Sequence, residues 1–184
     1  DGRWLAAGGE TGGVFVWDLP ARSFAAAIPT GKEGEVRSLR WSPDRPWLAS
    51  VDDGGFAVVR DWPEGELVEE RRIDESVVEA VRWLPDGKAL VVGTLAGGIR
   101  LWPLGGTPVD FETRHPEPVQ ALAVLPDGER LVSADALGNV WLWDIPARKR
   151  IENGWPAADA AIDIAAVSHD GTKLLVAGNG GTAF

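Results

Sequence analysis
A short turn signature returns every forty-odd residues along this chain. Pro43-Asp44, Pro85-Asp86-Gly87, Pro126-Asp127-Gly128 and His169-Asp170-Gly171 place aspartates at 44, 86, 127 and 170, spaced 42, 41 and 43 apart. Asp1-Gly2 supplies a fifth marker, 43 before Asp44. Pro fixes φ and Gly accepts positive φ, so each marker reads as a tight turn. An apolar run follows every marker: Trp4-Leu5-Ala6-Ala7, Trp47-Leu48-Ala49-Ser50, Ala89-Leu90-Val91-Val92, Arg130-Leu131-Val132-Ser133 and Lys173-Leu174-Leu175-Val176. A further segment of each copy ends in Trp17-Asp18, Arg60-Asp61, Trp102-Pro103 or Trp143-Asp144. Two copies share their exit, Trp17-Asp18-Leu19-Pro20-Ala21-Arg22 and Trp143-Asp144-Ile145-Pro146-Ala147-Arg148.

Pro118–Asp144 shows the unit most plainly. Val119–Leu125, Arg130–Ala134 and Val140–Asp144 read as strands, joined by turns at Pro126-Asp127-Gly128 and Leu137-Gly138-Asn139. Three strands alone bury little surface, so the unit needs neighbours. Repeats of this length, with four strands and a terminal Trp-Asp, point to a β-propeller blade. The expected fold is all-β: a propeller of four-stranded antiparallel blades, about four to five of them present, as part of a larger ring. The expected division is a partial blade over 1–34, blades over 35–76, 77–117 and 118–160, and a partial blade over 161–184. The first partial blade lacks its innermost strand. The last supplies an innermost strand, a second, and part of a third ending at Phe184. Closing four blades into a ring would duplicate strands, so an arc of a larger ring, or five blades with two imperfect, is expected. The chain has no Met and opens inside a motif, which reads as a piece of a longer protein. An open arc would leave apolar faces exposed, and the isolated piece is expected to be unstable or to self-associate.

With its Pro-Asp-Gly turns, apolar middle strands and Trp-Asp ends, the sequence resembles the WD40 repeat family over essentially its whole length. In that family a His before the first strand joins a hydrogen-bonded set with a Ser or Thr, an Asp in the second turn, and the Trp. Here only His115 stands at that place, and the corresponding positions read as Asp135, Leu137 and Trp143. In the preceding copy Thr94 and Trp102 match, while Ala96 fills the Asp position. Leu137 cannot accept a hydrogen bond, so the expectation is an incomplete network and blades held by packing instead.

Charge and composition narrow the function. The net charge of −10 opposes binding to nucleic acid or an anionic membrane. No apolar run approaches the roughly 20 residues that span a bilayer. Cysteine is absent, which removes disulfide and thiolate chemistry and fits a cytoplasmic setting. Most of the ten Trp, among them Trp4, Trp41, Trp83 and Trp102, fall at repeat positions and read as filler between blades.

Residue types that carry chemistry elsewhere read mostly as structure here. Asp44, Asp86, Asp127 and Asp170 recur once per blade, as turn formers do and catalytic groups do not. The glycine clusters Gly8–Gly13 and Gly178–Gly181 lack the Lys-Ser/Thr ending of a phosphate loop and sit where hairpins turn. His115 and His169 stand outside any zinc pattern. Ser133 and Ser168 lack a nucleophile elbow. Asp52-Asp53 reads as a solvated turn, with calcium as the alternative. Arg71-Arg72 and Arg148-Lys149-Arg150 read as edge-strand charges that discourage aggregation.

The variable positions are the better candidates. Just after the first apolar residue of each inner strand stand Arg37, Glu79, Gln120 and Asp163. Family resemblance implies that such side chains lie at the mouth of the central channel and contact partners. The expected function is a non-catalytic scaffold or sensor module for protein–protein interaction within a larger protein. No metal or cofactor is expected. The expected partners are proteins and other domains or blades of the same chain, not nucleic acid or membrane. The alternative is a propeller enzyme or small-ligand binder with its site at the channel mouth, where Arg37, Glu79 and Asp163 would supply charged groups.

Overall fold
The computed structural model describes residues 2–29, 34–155 and 160–178. Its regular elements are all strands, and no helix occurs among the described residues. The first sheet holds β1 (Trp4–Gly8), β2 (Gly13–Asp18) and β3 (Ser23–Pro29). The second holds β4 (Val36–Trp41), β5 (Trp47–Asp52), β6 (Phe56–Asp61) and β7 (Leu67–Arg72). The third holds β8 (Val78–Trp83), β9 (Ala89–Thr94), β10 (Ile99–Pro103) and β11 (Val109–Asp110). The fourth holds β12 (Val119–Val124), β13 (Arg130–Asp135), β14 (Val140–Asp144) and β15 (Lys149–Trp155). β16 (Ile164–Val167) pairs with β17 (Leu174–Ala177). Every pairing is antiparallel and joins neighbours in the chain. The expected third strand toward Phe184 and most of the Gly178–Gly181 turn lie outside the described residues.

The turn markers act as expected. Gly87, Gly128 and Gly171 all adopt positive φ. Asp86 Oδ1 accepts the amide of Lys88, Asp127 Oδ1 those of Glu129 and Arg130, and Asp170 Oδ1 that of Thr172. The Trp-Asp ends work likewise: Asp18 and Asp144 accept the amides of Ala21 and Ala147, closing the shared Pro-Ala-Arg exits.

The middle strands are apolar throughout because both their faces are covered. Along β9, Leu90 and Val92 face the second sheet, while Val91 faces the fourth. Along β13, Leu131 faces the third sheet, while Val132 and Ala134 face the β16–β17 pair. Side chains alternate across a strand, so one short run feeds two cores. The result is a series of separate cores, each between two successive sheets. The second and third sheets enclose Val51, Val59, Val81, Leu90 and Trp102; the third and fourth enclose Ile99, Val119, Leu122, Leu131 and Trp143. The inner strands β4, β8, β12 and β16 run side by side about a common axis.

Two outer strands differ from the rest. β11 is only two residues long; Phe111, which follows it, still donates its amide to the carbonyl of Ile99 and turns its side chain into the core. Its ring lies edge-on to Trp143 at 5.5 Å and 88°. β15, in contrast, runs for seven residues.

Close approach of one sheet to the next fixes Gly93. A Cβ there would stand 2.7 Å from Cγ1 of Val119 on β12, whose branched side chain is buried and has no room to retreat. Gly93→Val is expected to cost about 1–3 kcal/mol through overpacking. Urea unfolding followed by tryptophan fluorescence checks it, and an unchanged midpoint would count against this packing.

Candidate functional site
Each of the three complete inner strands carries one irregularity, and it falls on a candidate residue. Strand register shifts between Val36 and Ser38, between Val78 and Ala80, and between Val119 and Ala121. The extra residues are Arg37, Glu79 and Gln120. A β-bulge leaves its extra residue out of the ladder and re-aims its side chain. Here it turns polar groups away from the apolar cores and toward the axis. Asp163 directly precedes β16, and its amide donates to the carbonyl of Ala177. All four side chains line one cavity of about 400 Å³, together with Arg40 and Arg82.

Charges at this mouth are partly self-neutralised. The Arg37 guanidinium meets Glu79 at 3.1 and 3.2 Å across two sheets, and Glu35 at 2.8 Å. Burial alone would lower the Arg37 pKa, but the Glu79 and Glu35 carboxylates overcome it and raise it. Gln120 is different: its Oε1 is buried and has no hydrogen-bond partner among the described residues. An unpaired buried polar group costs free energy, and a ligand or partner group would relieve it.

The remaining candidates resolve into structure. Asp52 accepts the amide of Phe56, and Asp53 that of Glu35. Ser168 donates to Asp170 within the last turn and accepts the amide of Lys173. The Ser168 hydroxyl and the Thr172 amide draw the Asp170 pKa down to about 2. Among the described residues no group of three or more His, Asp or Glu gathers as a metal site. Arg71 pairs with Glu69, Arg72 with Glu75, and Lys149 with Glu112, so much of this edge charge is engaged.

One expectation is overturned. The hydrogen-bonded set around His115 is complete: its hydroxyl and carboxylate members sit two residues earlier than expected, and Trp143 stands where it was expected. Ser133 takes the hydroxyl position and Asp135 the carboxylate position, on the same face of β13 at i and i+2. Trp143 Nε1 donates to Ser133 Oγ at 2.7 Å. His115 Nε2 lies 2.6 Å from the same hydroxyl, and Nδ1 lies 3.0 Å from Asp135 Oδ2. The one consistent arrangement for a neutral ring has Ser133 donating to Nε2 and Nδ1 donating to Asp135. Asp135 Oδ1 also accepts the amides of Leu137 and Asn139, so the second turn is tied into the set through Leu137's backbone. His115 further stacks on Trp141 at 3.9 Å, and the Arg150 guanidinium lies over the Trp141 ring at 4.3 Å. In the third sheet Val92 occupies the Ser133 position, and Trp102 Nε1 has no partner among the described residues.

A serine, a histidine and an aspartate in hydrogen-bonded sequence invite comparison with a nucleophilic triad. Burial argues otherwise. Ser133, Asp135 and Trp143 are fully buried and His115 is 3% exposed, so a substrate has no route to the hydroxyl. The Ser133 lone pairs also face the Trp143 N–H. This is a fastener between the third and fourth sheets, not a reaction centre.

Radially placed four-stranded antiparallel sheets, with bulged inner strands around an axial cavity, define a β-propeller segment. Comparison with known proteins agrees. The family model for "WD domain, G-beta repeat" matches residues 26–59 and 106–144. Small ribosomal subunit protein RACK1 of Candida albicans is 29% identical over 110 residues, covering 55% of this chain and 34% of that protein. RACK1y of Oryza sativa is 30% identical over 117 residues, covering 58% of this chain and 33% of its own. Ribosome biogenesis protein erb1 of Aspergillus clavatus is 36% identical over 84 residues, covering 42% of this chain and 10% of its own. The matched stretch thus spans about a third of the RACK1 relatives and less of erb1. The two matched stretches, 26–59 and 106–144, are WD40 repeats.

Ser133→Ala removes the shared hydroxyl and leaves Trp143 Nε1 and His115 Nε2 buried and unpaired. Its expected cost is about 3 kcal/mol in urea unfolding, a fall much larger than the loss of one exposed hydrogen bond.

A pH dependence follows from His115. Burial pushes its pKa below the ordinary 6.5, outweighing the hydrogen bond and charge of Asp135, which raise it. The unfolded chain therefore takes up a proton near pH 6.5 that the folded chain refuses. Stability is fully present above that pH and falls below it, by at most about 1.4 kcal/mol per pH unit. Comparing urea midpoints at pH 7.5 and 5.5, the parent chain is expected to lose more than His115→Asn. Equal losses would refute the assignment.

Proposed function
We propose that this WD40 segment is a non-catalytic interaction module, and that the ring of Arg37, Glu79, Gln120 and Asp163 at the channel mouth is its contact surface for a protein partner. The observation that carries this reading is the bulge. Three successive inner strands each give up a ladder position at the same height, and each presents a different polar side chain there. A rigid scaffold with varied side chains at equivalent positions suits recognition of an irregular partner surface.

The relatives favour an assembly role. Two are named as small ribosomal subunit proteins and one as a ribosome biogenesis protein. By that likeness the partner belongs to a multi-component complex, and the chain works in the cytoplasm as part of a longer protein. The net charge of −10 favours a protein surface over direct contact with nucleic acid or membrane lipid. Further blades or domains of the same protein would complete the surroundings of the channel.

The test is a quadruple variant of the full protein with alanine at 37, 79, 120 and 163. Partners that co-purify with the parent from its own cells are identified first. The variant is expected to lose them with little change in melting temperature, since a solvent-accessible ion pair such as Arg37–Glu79 contributes only about 0–1 kcal/mol. Retention of every partner at parental yield would show these residues to be channel lining alone.

A further inference from the structure
Beyond the mouth, the axis holds a second cavity of about 440 Å³ with a different character. Its wall includes Arg40 of β4 and Arg82 of β8, which also reach the mouth cavity. The other residues around it are Trp83 and small or aliphatic side chains, among them Ala123, Ile164, Ala166 and Val167. No carboxylate lines this second cavity among the described residues; Glu79 and Asp163 belong to the mouth side.

Arg40 and Arg82 hold equivalent places in successive inner strands, and neither has an acidic partner among the described residues. The Arg40 guanidinium donates to the carbonyl of Leu39 and the Arg82 guanidinium to the carbonyl of Val81. Arg37, three residues before Arg40, shows the contrast, since two carboxylates engage it. Burial lowers the pKa of Arg40. Burial, then the charge of Arg40, draws Arg82 down to about 9, still above neutral pH. Arg82 is half-buried and Arg40 more exposed, and two like charges brought together in such a site are costly. Removing them would remove the cost, unless a counter-charge is meant to occupy the space.

We propose that this inner cavity is a binding site for a small organic oxyanion, with its phosphate or carboxylate head between Arg40 and Arg82 and its apolar body against Ala123, Ile164 and Ala166. Guanidinium groups present planar, paired donors suited to both kinds of head. Rigid strands hold both arginines, so little ordering is needed on binding. The apolar wall opposite them favours a head with a hydrocarbon part over a bare inorganic ion. The site adjoins the mouth through Arg40 and Arg82, but none of its residues belongs to that ring of four.

The experiment uses the full protein and the emission of tryptophan, since Trp83 stands in the wall. Phenyl phosphate and phenylacetate are titrated as two kinds of head on one ring, with inorganic phosphate and benzyl alcohol as head-only and ring-only probes. At least one aromatic anion is expected to bind saturably and more tightly than either partial probe. Arg40→Gln and Arg82→Gln should each weaken it about tenfold, and the double variant should abolish it. Lys88→Gln removes an equal charge from an exposed turn and should leave affinity unchanged. A second readout separates binding from structure: without ligand, Arg82→Gln should melt at or above the parental temperature, whereas a purely structural arginine would lower it. Absence of saturable binding by both aromatic anions, undiminished binding by the double variant, or a lowered melting temperature for Arg82→Gln would each overturn the proposal.

Discussion
Apolar contact between the faces of successive sheets is what the molecule depends on. No single sheet could persist alone, because each middle strand is apolar on both sides. Covering one face leaves the other in water. The chain resolves this by repetition: Leu90 and Val92 close one interface while Val91 opens the next. Apolar burial contributes about 25 cal/mol per Å², so these interfaces carry most of the favourable free energy of folding. They also fix the distance between sheets tightly enough that Gly93 has no room for a side chain beside Val119.

Hydrogen bonding adds selectivity to that packing, unevenly along the chain. Among the described residues, the complete His115–Ser133–Asp135–Trp143 set belongs to the fourth sheet. It ties the segment before β12 to β13, β14 and the turn between them, so one buried cluster joins four points of the chain. In the third sheet a valine replaces the serine and the indole N–H has no partner among the described residues. The repeat therefore tolerates loss of the polar fastener where apolar packing is dense, as around Trp102 and Leu90. Neighbouring repeats are equivalent in outline and differ in how their interiors are held.

Much of the fold was legible because its signals are local. Pro, Asp and Gly at the turns, and apolar runs between them, act over a few residues and repeat at a constant interval. What escaped the sequence depends on three-dimensional register. Ser133 and Asp135 were visible as residues, but which of them reaches His115 depends on the face each takes along β13, and an offset of two preserves the face while changing the partner. Phe111 reads as an outer-strand residue until the space beside Trp143 is known. The site was legible in part: Arg37, Glu79, Gln120 and Asp163 stood out by varying at one repeat position. Arg40 and Arg82 did not, although both occupy one repeat position and Ala123 and Ala166 occupy it in the later strands. That change from guanidinium to methyl was the available signal.

The bulges separate two demands that an ordinary strand would couple. A residue inside the ladder must fit both its hydrogen-bonding neighbours and the core, so few replacements are tolerated. One displaced from the ladder answers only to what occupies the axis. Arginine, glutamate and glutamine at 37, 79 and 120 illustrate that freedom: charge reversal across one sheet spacing leaves the flanking valines, Val36, Val78 and Val119, buried in the same role. Each blade thus has an interchangeable letter, and a lineage can rewrite the collar without renegotiating the architecture beneath it.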